Sequence, residues 1–233
     1  MKLNHRRLFA LALCAGFCCL SSFSNAATII KLDLGSVGPD VRMTTAGVLS
    51  TVDDGDFLTT GHQNTDVEFT GFLDASNPDI TTTNASFSLT NLQATGFPQV
   101  FGSLVIQNFA GGTFNLYDPA NTLLLSGPLT FSAMTGVLGP PGTGALFTTT
   151  LGTVTGGTLA SSIQPGSISL SMNMTNVNGG SGFVVGAPSP TFGLLQPFVA
   201  DAFVNIAGEV PEPASVVLVL VGAIVALVAR QRY

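Results

Sequence analysis

The sequence predicts an all-β fold, an antiparallel β-sandwich or jelly roll forming a single domain, flanked by an N-terminal signal-peptide helix and a C-terminal hydrophobic helix. Three observations carry that expectation. Between residues 27 and 209 apolar side chains recur with period two, and no segment keeps helical spacing. Gly, Pro and Asn clusters punctuate the pattern at short intervals. Fourteen of the seventeen phenylalanines lie in this stretch, and a buried Phe contributes on the order of 2–3 kcal/mol, so one core can form without disulfides.

The strands follow in order. Ile29–Leu34 opens the series. Val67–Phe72 and Ala85–Thr90 alternate cleanly, and Ile168–Met174 does the same late in the chain. Further strands are expected at Phe101–Asn108, Thr113–Tyr117, Leu123–Leu125, Leu129–Ala133, Ala145–Leu151 and Ala202–Ile206. Gly111-Gly112 reads as a two-residue hairpin turn needing positive φ. Asn77-Pro78-Asp79, Gly139–Gly144 and Asn178–Gly182 are further breaks, and Gly186–Pro197 is an intradomain loop.

Both ends differ from this middle. Lys2, Arg6 and Arg7 precede the short apolar run Leu8–Leu20, and Ser24 and Ala26 fit a small-x-small cleavage site. Residues 1–26 therefore read as a signal peptide removed by signal peptidase after Ala26, with a cut after Ala27 as the alternative. All three cysteines, Cys14, Cys18 and Cys19, lie in it, so the mature domain has no disulfide, thiolate nucleophile or Cys-ligated metal. At the other end, Pro211-Glu212-Pro213 precedes the 16-residue run Ala214–Ala229, followed by Arg230 and Arg232. At 1.5 Å per residue that run covers about 24 Å, short of a ~30 Å hydrocarbon core. The arginines place this end on the cytoplasmic side and the bulk of the chain outside. The two prolines hold the backbone extended and accessible just before the helix. An extended motif, a hydrophobic stop and a basic end are the parts of a recognise-and-cut signal.

Val210-Pro211-Glu212-Pro213-Ala214-Ser215, the apolar helix and Arg230-Gln231-Arg232 together resemble a bacterial PEP-CTERM sorting domain. The resemblance is confined to residues 210–233. It implies processing by an exosortase in a Gram-negative-type envelope, often beside exopolysaccharide, and implies nothing about the chemistry of the cargo, residues 27–209.

The cargo itself offers little for catalysis. Lys31 and Arg42 are its only basic residues, so it lacks the cations that nucleic acid binding needs. It has one histidine, His62, which makes a zinc site or a Ser-His-Asp triad a poor fit, and no serine sits in a nucleophile elbow. Asp66 and Glu68 share one strand face, but their neighbours Val67 and Phe69 point inward, so the pair reads as a solvated outer face rather than a glycosidase pair. Asp53-Asp54-Gly55-Asp56 is the densest acidic run. Its carboxylates could supply some of calcium's six to eight oxygens, although the spacing is not that of an EF-hand and a tight acidic turn explains it equally. Apart from that calcium, no cofactor is implied.

These readings converge on an exported, non-enzymatic cell-envelope or extracellular-matrix protein. It would be held transiently at the inner membrane and then displayed or released among exopolysaccharide. The alternative is a glycan- or calcium-binding lectin-like module, or less readily a hydrolase, on the same scaffold.

Overall fold

The computed structural model describes residues 26–35, 38–53, 61–70, 73, 80, 82–140, 144–163, 168–186 and 195–209. The two end helices expected from sequence lie outside these residues. Among the described residues no helix is long and apolar enough to cross a membrane.

Ala27–Glu209 form one compact unit, and it is all-β. The strands are β1 (Ala26–Asp33), β2 (Val41–Met43), β3 (Val48–Thr51), β4 (Gln63–Phe69), β5 (Asn84–Thr90), β6 (Leu92–Phe101), β7 (Leu104–Ala110), β8 (Thr113–Tyr117), β9 (Leu123–Val137), β10 (Gly144–Leu151), β11 (Ile168–Thr175) and β12 (Phe198–Glu209). Period-two alternation places Val67 and Phe69 of β4, Ala145 and Phe147 of β10, and Leu170, Met172 and Met174 of β11 on the inner face. The core is dominated by Phe87, Phe114, Phe147, Phe183 and Phe198, all fully buried. Phe183 meets Phe198 edge to face at 4.8 Å and Phe109 meets Phe147 at 6.1 Å, arrangements that favour the ring quadrupoles.

The antiparallel sheet returns on itself twice. One circuit runs β1-β4-β5-β8-β9-β10-β11-β12 and closes by pairing β12 with β1. The other runs β9-β10-β11-β12-β2-β3-β6-β7 and closes by pairing β7 with β9. Strands β9 through β12 are common to both. Every named strand thus has a partner on each side along at least part of its length, which removes the open edges that invite aggregation.

The junction of the two circuits is a corner shared by neighbouring strands. Thr90 pairs with Thr113 on one side of it, and Gln93 with Ala110 on the other. Between them Asn91 (φ 59) faces the Gly111-Gly112 pair (φ 69 and 95). The diglycine does have the positive φ expected of it, but it is not a hairpin turn. Strands β7 and β8 run in the same direction along one edge of β9, and the glycines kink the chain between them. A Cβ on Gly112 would stand 2.7 Å from Leu92 Cγ and 3.1 Å from Thr90 O, so crowding as well as φ demands glycine. On β9 the same level is occupied by Pro128, opposite Thr113. Proline is tolerated there because the edge partner changes from β8 to β7. This is why Leu123–Leu125 and Leu129–Ala133, expected as two strands, are one 15-residue strand. Thr51 closes the corner from β3: its hydroxyl accepts from Leu89 N at 3.1 Å and donates to Gly61 O at 3.0 Å.

Three strands were not foreseen. β2 and β3 are 3 and 4 residues long, too short to show a period. β6 carries Gly96 and Pro98 and lacks alternation because residues 95–101 are almost wholly solvent-facing. There the β6–β7 hairpin extends past the core, with a register shift between Thr95 and Gln99.

Candidate functional site

Polar chemistry gathers in three places on this scaffold. The most deeply set is Asp40, where the chain enters β2. Its main chain is fixed on both sides: Asp40 N donates to Ala200 O at 2.9 Å and Asp40 O accepts from Val52 N at 2.8 Å. Its side chain then reaches across to β12, where Oδ2 accepts from Ala202 N at 2.6 Å. The residue is 1% exposed and Oδ1 has no hydrogen-bond partner. Burial pushes the carboxyl pKa up to about 7. The Ala202 hydrogen bond opposes this, and the negative charges of Asp201 and Asp33 add to it. A carboxyl that titrates near neutrality therefore staples β2 to β12. Beside it lies a cavity of about 390 Å³, lined in part by Gly35, Pro39, Asn176 and Asp201. Asn176 Nδ2 donates to Asp201 Oδ2 at 3.2 Å at its rim.

The second place joins the ends of β3, β4 and β8. His62 and Tyr117, the only histidine and the only tyrosine of residues 27–209, stack with centroids 4.6 Å apart and rings inclined by 11°. One face of each ring is thereby covered by the other. Asp53, one of the three carboxylates that could supply oxygens to calcium, lies nearby in the chain and accepts from Gly61 N through Oδ2 at 3.1 Å. That bond ties residue 53 to residue 61. Asp54 and Asp56 lie outside the described residues. So do Pro211, Glu212 and Pro213 of the sorting motif, and Arg230 and Arg232. Ala26, at the expected cleavage site, is the first residue of β1. Among the described residues no group of three or more His, Cys, Asp and Glu side chains is placed to hold a metal ion.

The third place is an open groove of about 650 Å³ over β1, β4 and β12. Lys31 lies opposite Glu68 in the β1–β4 ladder, and its Nζ contacts the two carboxylate oxygens at 3.1 and 3.0 Å. Both side chains are at least half exposed, so this pair contributes little to stability. Asp33 and Asp66 lie directly opposite one another, an unfavourable like-charge pair. Phe203 and Asn205 of β12 complete the wall. Asp66 and Glu68 do share the outward face expected for them, since β4 buries Thr65, Val67 and Phe69 and exposes the residues between.

Sequence spacing did not bring Asp40 to Ala202, 162 residues away, nor His62 to Tyr117. No local pattern encodes either contact. The available signal for Asp40 was its position after Gly38-Pro39, a rigid turn entering an apolar pair. No family model, curated protein or solved structure matches the chain.

Proposed function

We propose that this is an exported, non-enzymatic protein of the cell envelope or extracellular matrix, delivered by a cleaved signal peptide and processed through its C-terminal tail by an exosortase-type enzyme. The observation that carries the reading is the matched pair of ends. A basic, apolar, small-residue leader precedes the domain, and Pro211-Glu212-Pro213, a short apolar run and Arg230 and Arg232 follow it. Neither element serves a cytosolic protein. The cargo, residues 27–209, would pass transiently through the inner membrane to the cell surface or beyond, where exopolysaccharide is its surroundings. The sandwich or jelly-roll character of the cargo belongs to the same proposal. Support for it comes from the corner at Asn91, Gly111-Gly112 and Pro128, since strands that bend at a common level pass from one layer into another.

A non-catalytic role is favoured by how the polar side chains are employed. Asp40 and Thr51 tie strands together, Asp53 bonds the Gly61 main chain, and His62 packs on Tyr117. The groove at Lys31, Glu68, Phe203 and Asn205 favours a second reading, a glycan-binding module, because it joins an aromatic ring to amide and carboxylate groups. Mass spectrometry of the exported protein tests the first proposal. Loss of the peptide Val216–Tyr233 and an N-terminus at Ala27 are expected, and a mature form that keeps that peptide refutes tail processing. Titration of the protein with neutral oligosaccharides tests the second. Chemical-shift or melting changes that disappear in Phe203→Ala would favour it.

A further inference from the structure

The β6–β7 hairpin carries a surface the proposed sorting role does not use. Its projecting end exposes Phe97 (68%), Phe101 (62%), Val100 (45%) and Leu104 (38%). The apolar surface continues onto the flat sheet beside it. Leu104 lies opposite Val137 of β9, and Ile106 lies in register with Thr135 of β9 and, beyond it, the exposed Leu146 of β10. At roughly 200 Å² per phenylalanine side chain, the exposed parts of Phe97 and Phe101 amount to about 260 Å². Leu104 and Leu146 bring the patch on this face to roughly 400 Å², within the range of functional patches, while Val100, paired with the buried Val105, faces the other side of the hairpin.

We propose that this patch is a self-association surface whose partner is a second copy of the same chain. Two observations select that occupant. The first is charge. Residues 27–209 hold twelve acidic residues against two basic ones, yet from Asn84 to Ala200 the only charged residue is Asp118. Eleven of the twelve acidic residues fall within residues 33–79 and 201–209, so two copies repel where those segments meet and not across the uncharged sheet that carries the patch. The patch offers no charge to complement a charged partner, whereas a second copy brings the matching uncharged apolar surface. The second is area. A standard interface takes about 800 Å² from each partner, a little over half of it apolar. The patch supplies most of that apolar share, and the neighbouring Thr95, Gln99, Asn108 and Thr135 supply a polar rim. An isologous pairing, with the same patch on both copies, follows from this self-complementarity.

The test is sedimentation velocity of the full chain in detergent micelles. A concentration-dependent two-copy species is expected, with association weakened at least about 100-fold by Phe97→Asp combined with Phe101→Asp. Asn121→Asp should leave it unchanged, because the exposed Asn121 precedes Leu123 at the opposite end of β9 from Val137. A one-copy wild type, a two-copy double variant, or equal loss in Asn121→Asp overturns the proposal. Should the double variant misfold, nitroxide labels answer the question without it, in a background with Cys14, Cys18 and Cys19 replaced by serine. A label at Ser103→Cys should show dipolar coupling between copies that a label at Asn121→Cys lacks; no coupling at Ser103→Cys overturns the proposal. A membrane-inserted hairpin is the remaining outcome. The chain has no tryptophan, so Phe97→Trp gives a clean reporter, and its quenching by brominated phosphatidylcholine would assign the patch to lipid and refute the second copy.

Discussion

Replacing the buried carboxyl of Asp40 with an amide should abolish a pH dependence of stability that this one residue imposes. In the unfolded chain an aspartate titrates near 3.9, and in the folded protein burial pushes Asp40 to about 7. Between these values the native state binds the extra proton, so stability falls as pH rises. The favourable contribution is complete below about pH 4 and is lost by the time pH passes 7. At 1.36 kcal/mol per unit, the difference of about three units corresponds to roughly 4 kcal/mol. For a domain of this size that is a melting-temperature drop of about 8–16 °C between pH 4 and pH 8. Asp40→Asn keeps an oxygen to accept from Ala202 N and cannot ionise. Thermal melts by circular dichroism across this range should therefore show a sloping wild type, and a variant whose curve is flatter by that amount. The difference between the two curves removes the contribution of every other titrating group, including Asp33 and Asp201. Parallel curves would refute the assignment of a neutral, buried carboxyl to Asp40.

Three further expectations concern the corner and the sheet surface. Gly157→Ala should destabilise severely and Gly156→Ala only slightly: a Cβ at 157 (φ +103) would collide with the Leu124 main chain, while one at 156 meets only the end of the Leu123 side chain at 3.4 Å. Urea midpoints of the two variants measure the contrast, and equal midpoints would contradict it. Thr51→Val should cost about 1–3 kcal/mol by leaving Leu89 N unpaired in the interior, whereas Thr51→Ser should retain most of that stability in the same assay. Asp66→Thr should stabilise by a few tenths of a kcal/mol up to about 1 by relieving the Asp33–Asp66 opposition, an effect that 1 M salt should shrink.

The half-buried strands were legible because burial on one face writes period two into the sequence, as in Gln63–Phe69 and Ile168–Thr175. Where that condition fails, legibility fails with it. β5 is buried from Ala85 to Leu89 on both faces, and its alternation survives only because Ser86 and Ser88 are polar. Ser88 is held by Asn115, which is bonded in turn to Ser126, a cross-strand ladder no local pattern announces. β6 is exposed on both faces at its far end and shows no period. Gly111-Gly112 carried a correct statement about φ and a wrong one about direction, because positive φ permits a reversal or a kink and the neighbouring strands choose between them.

By itself the sequence determined the all-β class, the location of most strands, the scarcity of cationic side chains and histidine, and two ends whose composition differs from the middle. These are local or compositional properties, and each is written within a few residues. Tertiary structure alone decided that the sheet closes through β12 with β1 and through β7 with β9, that Asp40 is stapled to Ala202, and that the exposed apolar residues of β6 and β7 lie beside those of β9 and β10. The reason is physical. Strand pairing is made by main-chain groups that every residue shares, so the choice of partner depends on which side chains fit together across the whole core.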